Sequence, residues 1–299
     1  MNNSLKPQTR RDSILITAER LHELLDGANR PVVLDVRWEL PTNLEPFDGK
    51  PQYLQGHIPG AVYLDLDTEL AETPSVELGR HPLPSQERLT RALERCGVRP
   101  DRLVVAYDAI GGLGAARAWW LLKDCGFNVR LLDGGLQAWQ DAGFDLETED
   151  IKPHATKLNL NPGQMAILHQ DEIPNFVENG ILLDARGGVR YRGESEPLDS
   201  RPGHIPGARS APAGHDLDPL RRFLSDEVLK ARFARHGISP TGPKVAVYCG
   251  SGITASHEIA ALAILGVDAA LYPGSYSQWS GDPNREIETG PYLKEDFQI

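Results

Sequence analysis

Cys249-Gly250-Ser251-Gly252-Ile253-Thr254-Ala255-Ser256 is the stretch of this chain whose residue types and spacing suit chemistry. The run before it, Lys244-Val245-Ala246-Val247-Tyr248, is short and apolar and predicts a buried strand. The run after it, from His257 to Gly266, predicts a helix that ends on glycine. A cysteine therefore stands at the mouth of a strand–loop–helix. Two glycines let the backbone curl around it, and the helix start offers unpaired N–H groups and a positive dipole end. Such surroundings favour a thiolate, and a thiolate is a nucleophile.

Three roles compete for Cys249. A cysteine beside an apolar strand is by default a buried packing residue, but Gly250-Ser251-Gly252 exposes backbone there rather than packing it. A cysteine phosphatase needs an arginine after the phosphate cradle, and the matching place holds Ala255. Neither arginine nor lysine occurs between Cys249 and Gly266, so phosphate loses its main charge partner. Sulfur transfer through a persulfide needs a thiolate, an accessible sulfur and several N–H donors to hold negative charge. The loop offers all three, so persulfide chemistry ranks first.

Composition narrows the partners. A formal net charge of −11 argues against nucleic acid, which wants a basic face. A hydrophobic fraction of 40% and a charged fraction of 24% fit a soluble globular protein, and no run reaches the length of a membrane span. No pair of cysteines or histidines stands at a zinc spacing, so neither metal nor organic cofactor is expected. The first residues lack the apolar core of a signal peptide. The cysteines are Cys96, Cys125 and Cys249, an odd and small number that predicts reduced thiols in a cytoplasmic setting. Cys96 and Cys125 each precede a glycine at a predicted helix end without a glycine-rich cradle, which marks them as packing residues. Trp119, Trp120, Trp139 and Trp279 read the same way.

The elements that must position the cysteine come in two copies. Gly56-His57-Ile58-Pro59-Gly60-Ala61 recurs 147 residues later as Gly203-His204-Ile205-Pro206-Gly207-Ala208. Leu34-Asp35-Val36-Arg37 is echoed by Leu183-Asp184-Ala185-Arg186, and Trp139 by Trp279. Matched landmarks in one order at nearly one spacing mean an internal duplication. The first copy predicts helices at 17–25, 85–96, 114–125 and 136–141, with strands at 31–36, 61–66, 103–107 and 129–132. The second predicts helices at 171–178 and 226–236 and after the cysteine loop, with strands at 181–184, near Ala208, at 245–248 and at 269–272. Alternation of strand and helix predicts an α/β fold of two tandem domains, each a parallel sheet flanked by helices. Ligands of such sheets bind beyond the carboxyl ends of the strands, where Cys249 stands. The domains are set at 1–150 and 151–299, joined by a polar, proline-containing connector between Glu147 and Gly163. Two insertions, 38–55 and 186–202, precede the Gly-His-Ile-Pro-Gly turns. The place of Cys249 is held in the first copy by Asp108, which cannot form a persulfide. The first domain is therefore read as the non-catalytic copy.

The whole chain resembles the two-domain rhodanese-type sulfurtransferases, and 3-mercaptopyruvate sulfurtransferase most. The duplication, both Gly-His-Ile-Pro-Gly-Ala turns, the aspartate in place of cysteine and Cys-x-x-Gly-x-Thr-Ala at Cys249 to Ala255 carry the resemblance. Thiosulfate-type members tend to have basic residues after the cysteine, whereas mercaptopyruvate-type members tend to have Gly-Ser-Gly, as here. The resemblance implies Cys249 as nucleophile, with Gly250, Gly252, Ile253 and Thr254 holding the substrate. It implies that Ser251, a histidine matching His81 and an aspartate of the first domain assist the cysteine. Asp65 and Asp67 compete for the last role, and position favours Asp65. It places a substrate-binding arginine at Arg190 and a second one before the turn, where this chain offers Arg201. Arg37 and Arg186 recur in both copies and read as structural. The implied donor is 3-mercaptopyruvate, and the implied acceptor is a thiol such as thioredoxin or a small thiol, or cyanide. Thiosulfate as donor is the nearest rival, and a non-enzymatic persulfide carrier or sensor is the rival from another class.

Overall fold

The computed structural model describes residues 9–39 and 47–291. In chain order the first half carries α1 (Arg10–Ile14), β1 (Leu15–Ile16), α2 (Ala18–Leu25), β2 (Val32–Asp35), α3 (Lys50–Gln55), β3 (Val62–Tyr63), α4 (Leu66–Glu69), α5 (Gln86–Arg95), β4 (Val104–Tyr107), α6 (Ala115–Asp124), β5 (Val129–Leu132) and α7 (Gly135–Asp141). The second half carries α8 (Ile173–Asn179), β6 (Ile181–Asp184), α9 (Gly188–Tyr191), β7 (Arg209–Ser210), α10 (Asp226–Ala234), β8 (Val245–Tyr248), α11 (Ile253–Ile264), β9 (Ala269–Leu271) and α12 (Ser275–Gly281).

Each half builds its own parallel sheet, in the orders β1-β5-β4-β2-β3 and β7-β6-β8-β9. The central strands β4 and β8 are buried at every position, as expected of parallel strands covered on both faces. The duplication is visible in registers: Asp35 pairs with Tyr107 as Asp184 pairs with Tyr248. Tyr107 donates to Asp35 Oδ2 at 2.6 Å and accepts from the Ile58 N–H, and Tyr248 accepts from the Ile205 N–H. The histidines of the two repeated turns are buried and pinned alike. His57 Nδ1 donates to Tyr53 O and His204 Nδ1 to Tyr191 O, each ring stacked on that tyrosine.

Most expected elements lie within a few residues of their predicted bounds, with Thr17 and Ser85 capping α2 and α5 through their hydroxyls. The sequence reading missed α1 and β1, because a two-residue edge strand has no periodicity to detect. It also read α3 and α9 as insertion. Residues 40–46 of the first insertion lie outside the described residues. The expected strand 61–66 stops at Tyr63, because Asp65 caps α4.

The helix that follows each central strand is buried at nearly every position, its few charged side chains included. α6 and α11 pack against one another, so a single apolar core runs through both halves, and Trp119, Trp120 and Leu122 share it with Ile253, Ile259 and Leu262. This fixes the two halves face to face and sets the first half's loops over the cysteine.

Candidate active site

Cys249 follows β8 directly and is 2% exposed. Gly252 adopts φ +80°, a left-handed turn that aims its N–H back at the cysteine, 3.2 Å from Sγ. A Cβ there would lie 2.7 Å from Pro273 O, so no side chain fits. The carbonyls of the loop point the other way. Cys249 O accepts from Tyr276 N–H and Gly250 O from Ser277 N–H, each at 2.9 Å, at the start of α12. Cys249 N–H donates to Ser275 Oγ. Among the described residues the Gly252 N–H is the donor that reaches the sulfur, with the N-terminus of α11 beside it.

Asp108 shows what this loop architecture accepts. Its buried carboxylate takes four backbone N–H bonds of 2.7–3.0 Å, from Ile110, Gly112, Gly114 and Ala115. The copy is an anion cradle filled by its own side chain.

A cavity of about 250 Å³ opens over the second loop, lined by Trp38, Arg80, Arg190, Cys249, Ser251 and Thr254 among others. Gly250 and Ile253 also line it. A larger surface hollow of about 470 Å³ near Lys50, Arg95 and Lys152 holds no nucleophile, and Lys50 and Lys152 both pair with Asp150.

Ser251 and His81 come together as the resemblance implies. His81 Nδ1 stands 2.7 Å from Ser251 Oγ. The aspartate on the ring's far side is not Asp65. Asp67 Oδ1 lies 3.0 Å from His81 Nε2, whereas Asp65 is spent on capping, accepting from Thr68 N–H and Thr68 Oγ1 and from Tyr63 Oη. An N-cap aspartate is locked to the first turn, and the residue two further on is free to reach the ring. Burial pushes the His81 pKa below its ordinary value, opposed by Asp67, and Arg117 and Arg80 add to the lowering.

Arg117, from α6, was not singled out by sequence reasoning. It is fully buried, and its Nη2 donates to His81 O and Pro82 O at 2.9 and 3.0 Å while Nε reaches Leu70 O. It fastens the strap 70–82 that carries the histidine. Between those two ends the strap is tied to α12: Arg80 N–H donates to Ser277 Oγ, and Gln278 Nε2 to Glu77 O.

The cavity's far wall is a ladder of alternating charge. Arg186 chelates Asp184 and reaches Glu196; Glu196 and Asp199 hold Arg190; Asp199 also pairs with Arg80. Arg186 is the expected structural arginine, as is Arg37, which pairs with Asp35. Arg190 lies on the cavity as expected. Arg201 does not. It turns to the end of α12, donating to Trp279 O, Ser280 O, Asp282 O and Arg285 O. A helix C-terminus leaves unpaired carbonyls, and a guanidinium suits them.

The other cysteines lack such surroundings. Burial pushes the Cys96 thiol up to about 12 and Cys125 up to about 11. Among the described residues no group of three or more His, Cys, Asp or Glu side chains suits a metal, and no helix is long and apolar enough to cross a membrane.

Two parallel sheets flanked by helices, one with a cysteine loop after its central strand and the other with an aspartate in that place, form a duplicated α/β fold. The chain belongs to the rhodanese-like domain family, whose model matches residues 17–142 and again 169–282. It is 44% identical, over 94% of its length and 98% of the relative's, to SseB of Mycobacterium tuberculosis, which carries a provisional thiosulfate sulfurtransferase name. It is 39% identical, over 92% of its length and 98% of the relative's, to a Pseudomonas aeruginosa protein provisionally named a 3-mercaptopyruvate sulfurtransferase. The crystal structure of SseA, a 3-mercaptopyruvate sulfurtransferase from Escherichia coli, superposes with a TM-score of 0.77 at 30% identity, covering 88% of this chain and 98% of that one. The chain is an enzyme of the sulfurtransferase class.

Proposed function

We propose that this chain moves sulfur from 3-mercaptopyruvate, through a persulfide on Cys249, to a thiol or cyanide. The donors named for its relatives differ, so the choice rests on the site. The observation that carries it is Ser251 Oγ at 2.7 Å from His81 Nδ1, with Asp67 behind the ring.

The chemistry explains why that matters. Cys249 thiolate attacks the donor's sulfur, an S–S bond forms and the donor's C–S bond breaks. The carbon leaves with the electron pair as an enolate and must gain a proton to become pyruvate, while the proton of the donor's thiol is given up. A Ser–His–Asp relay beside the reacting sulfur suits this exchange. Thiosulfate needs none of it, because sulfite leaves as a stable anion. The persulfide anion then lies in the cradle of Gly252 N–H and the α11 terminus. The acceptor takes the outer sulfur and returns the thiolate, giving a ping-pong cycle. With a thiol acceptor, thioredoxin or a small one, the product is its persulfide; with cyanide it is thiocyanate.

On this reading residues 151–299 form the catalytic domain, with Arg190, Gly250, Gly252, Ile253 and Thr254 around the donor. Residues 1–150 supply His81 and Asp67 but no nucleophile. Three free cysteines support a reducing, cytoplasmic setting. The test compares kcat/KM for 3-mercaptopyruvate and thiosulfate at one cyanide concentration. A thiosulfate advantage sinks the donor assignment. Absence of a one-sulfur mass adduct on Cys249 after incubation with either donor, or full activity in Cys249→Ser, sinks the persulfide.

A further inference from the structure

Arg117 carries a charge that its hydrogen bonds do not explain. It is fully buried, and among the described residues no carboxylate pairs with it. Nε and Nη2 serve the carbonyls of Leu70, His81 and Pro82, while Nη1 has no acceptor among the described residues. Carbonyls can be served by a neutral amide, and an unpaired buried cation is costly. Its place adds to the cost. Arg117 is the third residue of α6, in a first turn whose dipole end is positive. Its Nη1 also lies at the start of α11: a Cβ built on Gly252, the residue before that helix, would stand 3.4 Å from it. Both helix ends disfavour a cation there.

What lies beside Nη1 is the cysteine loop. Gly252 is the residue whose N–H reaches Sγ at 3.2 Å. Burial lowers the Arg117 pKa to about 10, which leaves it charged at neutral pH, and the Cys249 thiolate is the anion that opposes the lowering. In cysteine–histidine pairs an imidazolium supplies the balancing charge. Here burial holds His81 neutral at pH 7, and Arg117 itself adds to that effect. On the cavity wall, Arg80, Arg186 and Arg190 are matched by Asp184, Glu196 and Asp199. Arg117 is the guanidinium of the site whose charge is left over.

We propose that Arg117 is the counter-charge of Cys249, lent by the first half to the second: its guanidinium favours the thiolate and, after sulfur uptake, the persulfide anion. The persulfide part rests on the reading above, and the thiolate part stands apart from it. The role is electrostatic and comes in addition to the fastening of the strap, so the two can be separated by the sign of an effect.

The experiment uses the full chain with Arg117→Gln, which is neutral but still donates to carbonyls, and Arg117→Lys, which keeps the charge and loses the fork. The rate of Cys249 alkylation by iodoacetamide at pH 7 is read by peptide mass, which separates it from Cys96 and Cys125. A smaller thiolate fraction slows Arg117→Gln by about tenfold, and Arg117→Lys stays within about threefold of wild type. Sulfur loading of Cys249 from 3-mercaptopyruvate below saturation slows in Arg117→Gln by the same factor. If Arg117 only fastens the strap, releasing it uncovers a sulfur that is 2% exposed, and alkylation speeds up. A faster or unchanged rate in Arg117→Gln therefore overturns the proposal, and so does a loss in Arg117→Lys as large as in Arg117→Gln. Should Arg117→Gln fail to fold, Arg117→Lys decides: a near wild-type rate supports the counter-charge, and a faster one overturns it. Slower alkylation with unchanged loading removes Arg117 from sulfur transfer. If wild-type Cys249 gains no sulfur from either donor, the persulfide reading fails, and alkylation still decides the thiolate part.

Discussion

Ser251 Oγ and His81 Nδ1 stand 2.7 Å apart although 170 residues of chain separate them. The contact exists because α6 and α11 share one core and Arg117 clamps the strap of the first half over the loop of the second. Cys249 with Ser251 and the histidine that meets them thus belong to different halves of the duplication.

Ser251→Ala and His81→Gln are each expected to lower kcat with 3-mercaptopyruvate by about a hundredfold or more, the usual yield of a placed proton relay. Turnover of thiosulfate, whose leaving group needs no proton, stays within a few-fold. Donor-by-donor kinetics check this. An equal loss with both donors would show that the pair serves only to shape the loop.

His81 also sets a pH dependence. Burial lowers its pKa, so the imidazole remains neutral at pH 7 and protonates only below the ordinary histidine midpoint of about 6.5. In the neutral ring, Nε2–H meets Asp67 and Nδ1 accepts from Ser251. Protonation ends that acceptance. The acid limb of kcat/KM with 3-mercaptopyruvate is therefore expected below pH 6.5. In Asp67→Asn, which removes a group that raises the pKa, the limb moves to lower pH still. A limb that stays put or moves upward refutes the arrangement.

Asp108→Ala strands four buried N–H groups around a small void. The expected loss is about 3 kcal/mol of stability, because unsatisfied buried donors cost more than a missing bond. Asp108→Asn keeps two acceptor lone pairs and should lose less. Chemical denaturation measures both. Persulfide formation on Cys249 in the folded fraction should survive either change.

His257 gives a stability dependence of defined sign. It is fully buried against Phe223, with ring centroids 4.4 Å apart, and burial lowers its pKa to about 3. Below pH 6.5 the unfolded chain takes up a proton at this residue while the folded one does not. Its contribution is thus intact at neutral pH and drains away as pH falls from 6.5 towards 3, at up to about 1.4 kcal/mol per pH unit. Glu258, Asp216 and Arg232 lie next to it, and both carboxyls are pushed upward by burial, which acts in the opposite sense. The measurement is therefore the difference between wild type and His257→Leu at pH 4–6.5. Parallel curves would show that His257 does not couple to folding.

The duplication, the cysteine loop and the filled copy were all legible from sequence, because each depends on short local patterns: a six-residue identity, two glycines, an aspartate for a cysteine. Asp67 was within reach of local reasoning. Applying the capping rule at Asp65 would have assigned that residue to α4 and released Asp67 for the ring. Arg80 was not within reach. Its place depends on Ser277 and Asp199, 197 and 119 residues away. Arg201 misled for the same kind of reason, since its acceptors, the carbonyls of Trp279, Ser280, Asp282 and Arg285 at and beyond the end of α12, lie 78–84 residues away.

Asp108 also keeps the first loop's four N–H donors from taking any other anion. Its carboxylate is tethered at an effective concentration that no dissolved anion matches, so the first cradle is never vacant. On the proposed persulfide reading, each chain is therefore expected to carry one equivalent of transferable sulfur. Inhibition by a small inorganic anion should follow a single-site isotherm, with one cleft competing and its twin permanently silent.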